Sequence, residues 1–175
     1  ILSFDFEQNF KNLDFYVSKS NIHVFNIVKD WSKRNEKFLN IIGDKFSGKS
    51  HLINIFLEKN KGLKIIANDL DEKLLKKTKL YDNVILEDLT TKINENLFYT
   101  LINIVESENK QLIITSQIPV VNMNFNLSDI NSRSKNFLLT KIENPDDDLM
   151  FALILKNLSD RQISIDKKLI DYIIK

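Results

Sequence analysis

Phe38-Leu39-Asn40-Ile41-Ile42-Gly43-Asp44-Lys45-Phe46-Ser47-Gly48-Lys49-Ser50 is the stretch from which the rest of the chain can be read. Its first five residues form a short apolar run, the composition of a strand buried on both faces of a parallel sheet. Residues 43–50 satisfy G-x-x-x-x-G-K-[ST], the pattern of a phosphate-binding loop. Glycine lets backbone N–H groups curl around a β-phosphate where a side chain would block the approach. The helix that should follow adds the positive end of its dipole. Lys49 offers a point charge to β- and γ-phosphates, and the Ser50 hydroxyl can ligate Mg2+. The plainer alternative is a glycine turn between a strand and a helix. The chain holds only three glycines, two of them at the two required positions, so a chance match is on the order of one in a thousand.

Outward from the loop, strands and helices alternate. A helix is expected from about Lys49 to Lys59, with Leu52, Ile53, Ile55, Phe56 and Leu57 as its apolar side. LKIIA (63–67), NVILED (83–88), QLIIT (111–115) and NFLLTKI (136–142) read as four more strands. DEKLLKKTK (71–79) reads as a short polar helix. Residues 94–108 carry Leu97, Phe98, Leu101, Ile102 and Val105 at amphipathic helical spacing. Ahead of the loop, Ile22, Phe25, Ile27, Val28 and Trp31 suggest a helix over 21–31 with Ser20 as N-cap, and residues 1–14 an extended lead-in. Asn144-Pro145 followed by Asp146, Asp147 and Asp148 reads as a helix start, with acids against the positive dipole end; a metal cluster is the alternative. Helices over 146–158 and from Asp166 onward would begin a helical subdomain. The expected fold is α/β, a five-stranded parallel sheet flanked by helices on both faces.

Composition narrows the chemistry. With 175 residues, 43% hydrophobic and 28% charged, the chain suits one α/β domain with a core, and no apolar run is long enough for a membrane span. A net charge of +1, from 25 basic and 24 acidic residues, argues against a chain that coats nucleic acid. No cysteine is present, which excludes disulfides, thiol catalysis and zinc held by Cys. His23 and His51 are too few for a histidine metal centre, and His51 reads as a packing residue of the helix after the loop. The opening ILSFDF lacks the basic n-region of a signal peptide, and a cytoplasmic location is expected.

A nucleotide hydrolase also needs an acid near Mg2+ and a group that orients water. A strand ending in acids beside the loop strand would supply them, and NVILED ends in Glu87 and Asp88. Ordinary solvated acids at a strand end are the plain alternative. Thr115, Ser116 and Gln117 end the next strand and could sense a γ-phosphate. Arg133 is one of three arginines against 22 lysines, and only Arg offers a planar fork to phosphate; a surface arginine is the plain alternative.

Taken together these segments resemble the DnaA family of AAA+ ATPases, over nearly the whole chain and in order. LDFYVSKSN (13–21) is similar to the family's opening segment, which implies adenine contacts from Phe15, Val17 and Asn21. GDKFSGKSHL (43–52) matches its Walker A box, which implies that Gly43, Asp44, Lys45, Phe46, Ser47, Gly48, Lys49, Ser50 and His51 bind nucleotide. VILED (84–88) falls at Walker B, implying Glu87 with Ser50 at the metal and Asp88 in catalysis. IITSQIP (113–119) falls at sensor 1, with Ser116 and Gln117. LSDINSRS (127–134) resembles the arginine-finger box and implies a catalytic Arg133. Residues 143–174 resemble the start of the helical lid. The implied organisation is a segment 1–12, an AAA+ domain 13–142 and a partial lid 143–175.

Two features favour the Hda-type branch. Initiators of this family insert a pair of helices for single-stranded DNA before Walker B, and here 67–84 has room for one short helix. ILSFDF also resembles the hydrophobic part of a clamp-binding peptide, through Leu2, Phe4 and Phe6; a lead-in packed on the domain is the alternative. The resemblance implies ADP or ATP with Mg2+ as cofactors, and DnaA and the sliding clamp (β subunit) of DNA polymerase III as partners. It implies DNA contact only through the clamp, allows self-association and involves no membrane. Its departures are Glu87 where Asp is usual and Gln117 where an acid is usual, so hydrolysis by the chain itself is expected to be weak or absent, and the expected activity is activation of a partner. An initiator ATPase fragment and an inactive nucleotide-binding scaffold are the competing readings.

Overall fold

The structure, a computed structural model, describes residues 15–160 and Gln162. The segment with Leu2, Phe4 and Phe6, and the helix expected from Asp166 onward, lie outside the described residues. The apolar run before the loop is strand β1 (Phe38–Ile42), buried at every position. With β2 (Gly62–Ile66), β3 (Asn83–Leu89), β4 (Gln111–Ser116) and β5 (Leu138–Lys141) it forms a five-stranded sheet in the order β2-β3-β4-β1-β5. Every neighbouring pair is parallel. Parallel neighbours need crossovers. These contain helices α2 (Lys49–Lys59), α3 (Glu72–Thr78), α4 (Glu95–Ser107) and α5 (Ser128–Arg133). Helix α1 (Ile22–Lys29) precedes the sheet and α6 (Asp147–Asp160) follows it.

Alternation along the strands feeds two cores. Leu39, Ile41, Ile85 and Ile113 pack with α1, α2 and Trp31 on one face. Val84, Leu86, Leu112 and Ile114 pack with Phe98, Leu101, Ile102 and Val105 of α4 on the other. Each such side chain, removed from water, contributes roughly 1.5–3 kcal/mol, so both faces of the sheet are held against helices. No helix among the described residues is long and apolar enough to cross a membrane.

One expectation about strand neighbours is corrected. The acid-ending strand β3 does not lie beside the loop strand β1, because β4 is inserted between them. The physical reason is burial: Leu112–Ser116 of β4 are all buried, and this strand takes the middle of the sheet. A bulge then brings the acids forward, with Leu86 opposite Ile114 but Leu89 opposite Ser116. Two smaller differences concern helix ends. Trp31 falls in a 3-10 turn, Trp31–Lys33, after α1, and Asn21 rather than Ser20 precedes the helix. Helix α5 was not expected from periodicity, being only six residues long.

Between β2 and β3 the chain makes a 3-10 turn, Ala67–Asp69, and the seven-residue α3, which Asp71 caps by accepting from the Leu74 amide. Asp146 likewise caps α6: Oδ1 accepts from the Leu149 amide at 2.8 Å and Oδ2 from the Ser20 amide at 3.1 Å. That second bond ties the start of α6 to the turn before α1.

Candidate nucleotide site

The loop between β1 and α2 is tightly closed. A Cβ on Gly43 would stand 2.5 Å from Ser47 Oγ, so a side chain there would force the Ser47 hydroxyl to turn away. Gly48 has φ +94°, a left-handed conformation that favours glycine, and lies against the Phe15 ring. Lys49 opens α2 yet is only 7% exposed, and its Nζ donates to the carbonyls of Gly43 at 2.8 Å and Asp44 at 2.7 Å. Burial lowers its pKa from the ordinary lysine value, while the nearby charges of Asp88 and Asp44 oppose that shift. Ser47 Oγ is buried inside the loop without a hydrogen-bond partner.

A cavity of about 640 Å³ opens on this loop, within the usual size of small-molecule sites. Residues 45–51 form one wall, residues 88–91 a second, and Ser116, Gln117, Ile118 and Met123 a third. The bulge in β3 explains why Asp88 reaches it. Asp88 has φ +56°, and its amide donates to the buried Thr115 Oγ1 at 3.0 Å, which fixes the turned backbone. Glu87 does not line the cavity. Its side chain is 7% exposed, Oε2 pairs with Lys64 Nζ at 3.2 Å, and Oε1 has no hydrogen-bond partner. Of the metal pair expected, Ser50 lines the cavity and Glu87 is paired with Lys64 of β2. Among the described residues no group of three His, Cys, Asp or Glu could hold a metal ion.

The third wall depends on a residue the sequence reading passed over. Asn40, fully buried in β1, donates from Nδ2 to Ser116 Oγ at 2.8 Å and to the Ile114 carbonyl at 3.3 Å. Its Oδ1 accepts from the Val120 amide at 2.9 Å. Ser116 Oγ in turn donates to the Ile118 carbonyl at 2.7 Å. One amide thus fixes the end of β4 and the turn that carries Gln117. The available signal was a lone polar residue inside FLNII. Phe46 is the second residue whose singularity was missed: it has φ +67°, is 91% exposed, and lies under the Lys45 ammonium, 5.1 Å from the ring centroid.

The opening-segment residues lie on the α1 side of the loop and do not line the cavity. Phe15 is buried, stacked on Phe25 and edge-on to His51, and Val17 packs on the same core. Asn21 is a turn staple, its Oδ1 accepting from the Ser18 amide and its Nδ2 donating to the Tyr16 carbonyl, both at 2.9 Å. Arg133, at the end of α5, also lies off the cavity. It pairs with Glu106 and stands over the Tyr99 ring, both on α4, 5.3 Å from the ring centroid.

No protein-family model matches the sequence, and no curated protein matches it. Solved structures do match. A DNA replication initiation factor aligns at TM-score 0.76 and 22% identity, covering 92% of this chain and 57% of that one. DnaA from Aquifex aeolicus bound to AMPPCP aligns at TM-score 0.74 and 20% identity, covering 91% and 58%. A replication initiator DnaA bound to AMPPCP and single-stranded DNA gives TM-score 0.71 and 19% identity, covering 91% and 57%. The chain thus spans less than three fifths of the length of these proteins. The five-stranded parallel sheet with its flanking helices and the loop after β1 is an α/β fold similar to that of these solved DnaA structures.

Proposed function

We propose that this chain is an adenine-nucleotide-binding AAA+ protein of DNA replication control, and specifically an Hda-like regulator acting in the cytoplasm. It would bind ADP or ATP, dock on the DNA polymerase sliding clamp through the segment 1–12, and stimulate ATP hydrolysis by DnaA. Contact with DNA would be made through the clamp. The observation that carries the nucleotide reading is the convergence of Lys49, Ser50, Asp88 and Ser116 on one cavity at the strand ends. Backbone amides of the loop and the start of α2 suit the phosphates, and Lys49 supplies the charge. Two solved neighbours hold AMPPCP, which supports the adenine assignment.

The single seven-residue α3 supports the regulator over an initiator fragment, because a DNA-gripping helix pair is not accommodated there. Arg133 supports action in trans, since a finger for a partner's ATP must lie off its own cavity. To act, it would exchange Glu106 for the partner's phosphate. A second reading, a nucleotide-holding scaffold without turnover of its own, is favoured by the engagement of Glu87 with Lys64.

The test is phosphate release from DnaA–ATP in the presence of clamp-loaded DNA. Fingers supplied in trans are worth about 10³–10⁵ in rate, so Arg133→Ala should fold, bind ADP and fail to stimulate. Arg133→Lys should fail as well, because lysine keeps the charge and loses the fork. Full stimulation by Arg133→Ala would leave the arginine as a structural partner of Glu106 and remove the agent of the proposed mechanism.

A further inference from the structure

We propose that Lys45 is a second phosphate cation of the cavity, held at its mouth by the Phe46 ring, and that it makes the site prefer a nucleoside triphosphate to a diphosphate. The inference rests on the nucleotide reading above and names which ligand that site takes best. Two lysines, Lys45 and Lys49, line the cavity together with one carboxylate, Asp88. They are held differently. Lys49 is 7% exposed and donates to two carbonyls of its own loop, so its charge is fixed inside the loop. Lys45 is exposed, and among the described residues it has no carboxylate partner. Its ammonium stands instead over the Phe46 ring, 5.1 Å from the centroid.

The ring is the second observation. Phe46 has φ +67° and is 91% exposed, so it holds a conformation that glycine takes more readily and buries almost nothing in return. Packing therefore does not explain it. What the ring does contact is the Lys45 ammonium, and both residues line the cavity. An ammonium over an aromatic face is attracted by the ring quadrupole, weakly at an exposed site. The contact keeps at the mouth a long side chain that would otherwise range through solvent, and so reduces the ordering that binding must impose. It is also weak enough to be given up for a phosphate oxygen, whose bond with an ammonium is charge-assisted.

The two lysines divide the phosphates between them. The loop amides, the start of α2 and Lys49 suit the phosphates that both nucleotides share. A third phosphate brings further negative charge into a cavity whose lining already holds the Asp88 carboxylate. Lys45 is the lining lysine not bonded to the loop carbonyls, and it is the one with a charge to offer that third group. Because Lys45 is exposed and carries no buried partner, its replacement leaves the fold intact.

The experiment is titration calorimetry of the full chain with ADP and with AMPPCP in one Mg2+ buffer, for the parent, Lys45→Met, Lys45→Arg and Phe46→Gly. The parent should bind AMPPCP more tightly than ADP. Lys45→Met should lose about 3- to 10-fold in AMPPCP affinity and hold its ADP affinity within about twofold, a smaller loss than at buried Lys49 because water screens an exposed charge. Lys45→Arg keeps both the charge and the ring contact, and should keep the preference. Phe46→Gly should lose about 2- to 5-fold, again for AMPPCP alone. Equal losses for the two nucleotides in Lys45→Met would make Lys45 a general anchor, and unchanged AMPPCP affinity would make it a surface lysine; either result overturns the inference. A parent without preference, or an undiminished preference in Phe46→Gly, overturns it as well. If the folded parent binds neither nucleotide, the nucleotide reading itself fails and the assignment of Lys45 falls with it.

Discussion

Replacing Asn40 by Leu probes the strut that holds the third wall of the site. Leucine shares asparagine's branched shape but is bulkier and can neither donate nor accept, so the change removes three hydrogen bonds and adds methyl volume at a fully buried position. The Val120 amide, in a residue with no exposed surface, is left unpaired. A buried donor without a partner costs about 1–3 kcal/mol. Ser116 Oγ also loses the amide it accepts from, which adds about 1 kcal/mol, for a total of about 2–4 kcal/mol. For a chain of this size that is a fall of about 5–15 °C in Tm. Thr140→Val is the control, because Thr140 Oγ1 is buried with no partner, and removing it should be neutral or stabilising. Differential scanning calorimetry and urea titration of both variants give the comparison. Stability of Asn40→Leu within about 0.5 kcal/mol of the parent would refute the assignment of Asn40 as the strut, since that is the range of ordinary surface substitutions. The functional corollary is that nucleotide affinity falls in Asn40→Leu and is unchanged in Thr140→Val, because only the former releases Ser116 and the turn through Ile118.

Three further outcomes are expected. Lys49→Ala should weaken binding of ADP by about 10- to 150-fold by calorimetry, the equivalent of a charge-assisted contact of roughly 1.5–3 kcal/mol. Because burial lowers the Lys49 pKa, the parent's affinity should fall on the alkaline side at a lower pH than an ordinary lysine would give, as the ammonium loses its proton. Phe46→Gly should raise stability by about 1 kcal/mol in urea: a left-handed non-glycine costs about 1–3 kcal/mol, offset by the freer unfolded chain, and the exposed ring contributes little packing. Phe46→Val should lower it, and the reverse order would mean the loop is unstrained. Asp146 has its pKa held below the usual carboxylate range chiefly by the Leu149 amide. A depressed folded pKa gives stability that is present above the unfolded value and lost as pH falls through the folded one, so Asp146→Asn should flatten the acid limb of stability against pH.

Much of this architecture was legible because its signals are local. The apolar run FLNII, the glycine spacing 43–48 and the amphipathic period of 94–108 each express a constraint that acts between residues close in the chain. They located β1, the phosphate loop and α4 to within a residue or two. Helix α5 escaped because six residues span too few turns for a period to show. The clamp segment and the lid remain expectations of the resemblance.

The sequence by itself determined the phosphate loop, since backbone conformation there depends on which residues lack a Cβ and which carry a charge. It also determined the alternation of strand and helix, which burial periodicity imposes along the chain. It did not determine which acid faces the cavity. Glu87 and Asp88 are adjacent and chemically alike, and both were compatible with the site. The choice came from elements distant in sequence: β4 inserted between β3 and β1, Thr115 accepting the Asp88 amide across a bulge, and Lys64 reaching over from β2 to Glu87. Strand order and bulge position are settled by packing among all five strands at once, and a charge buried in that packing goes to the partner the fold supplies.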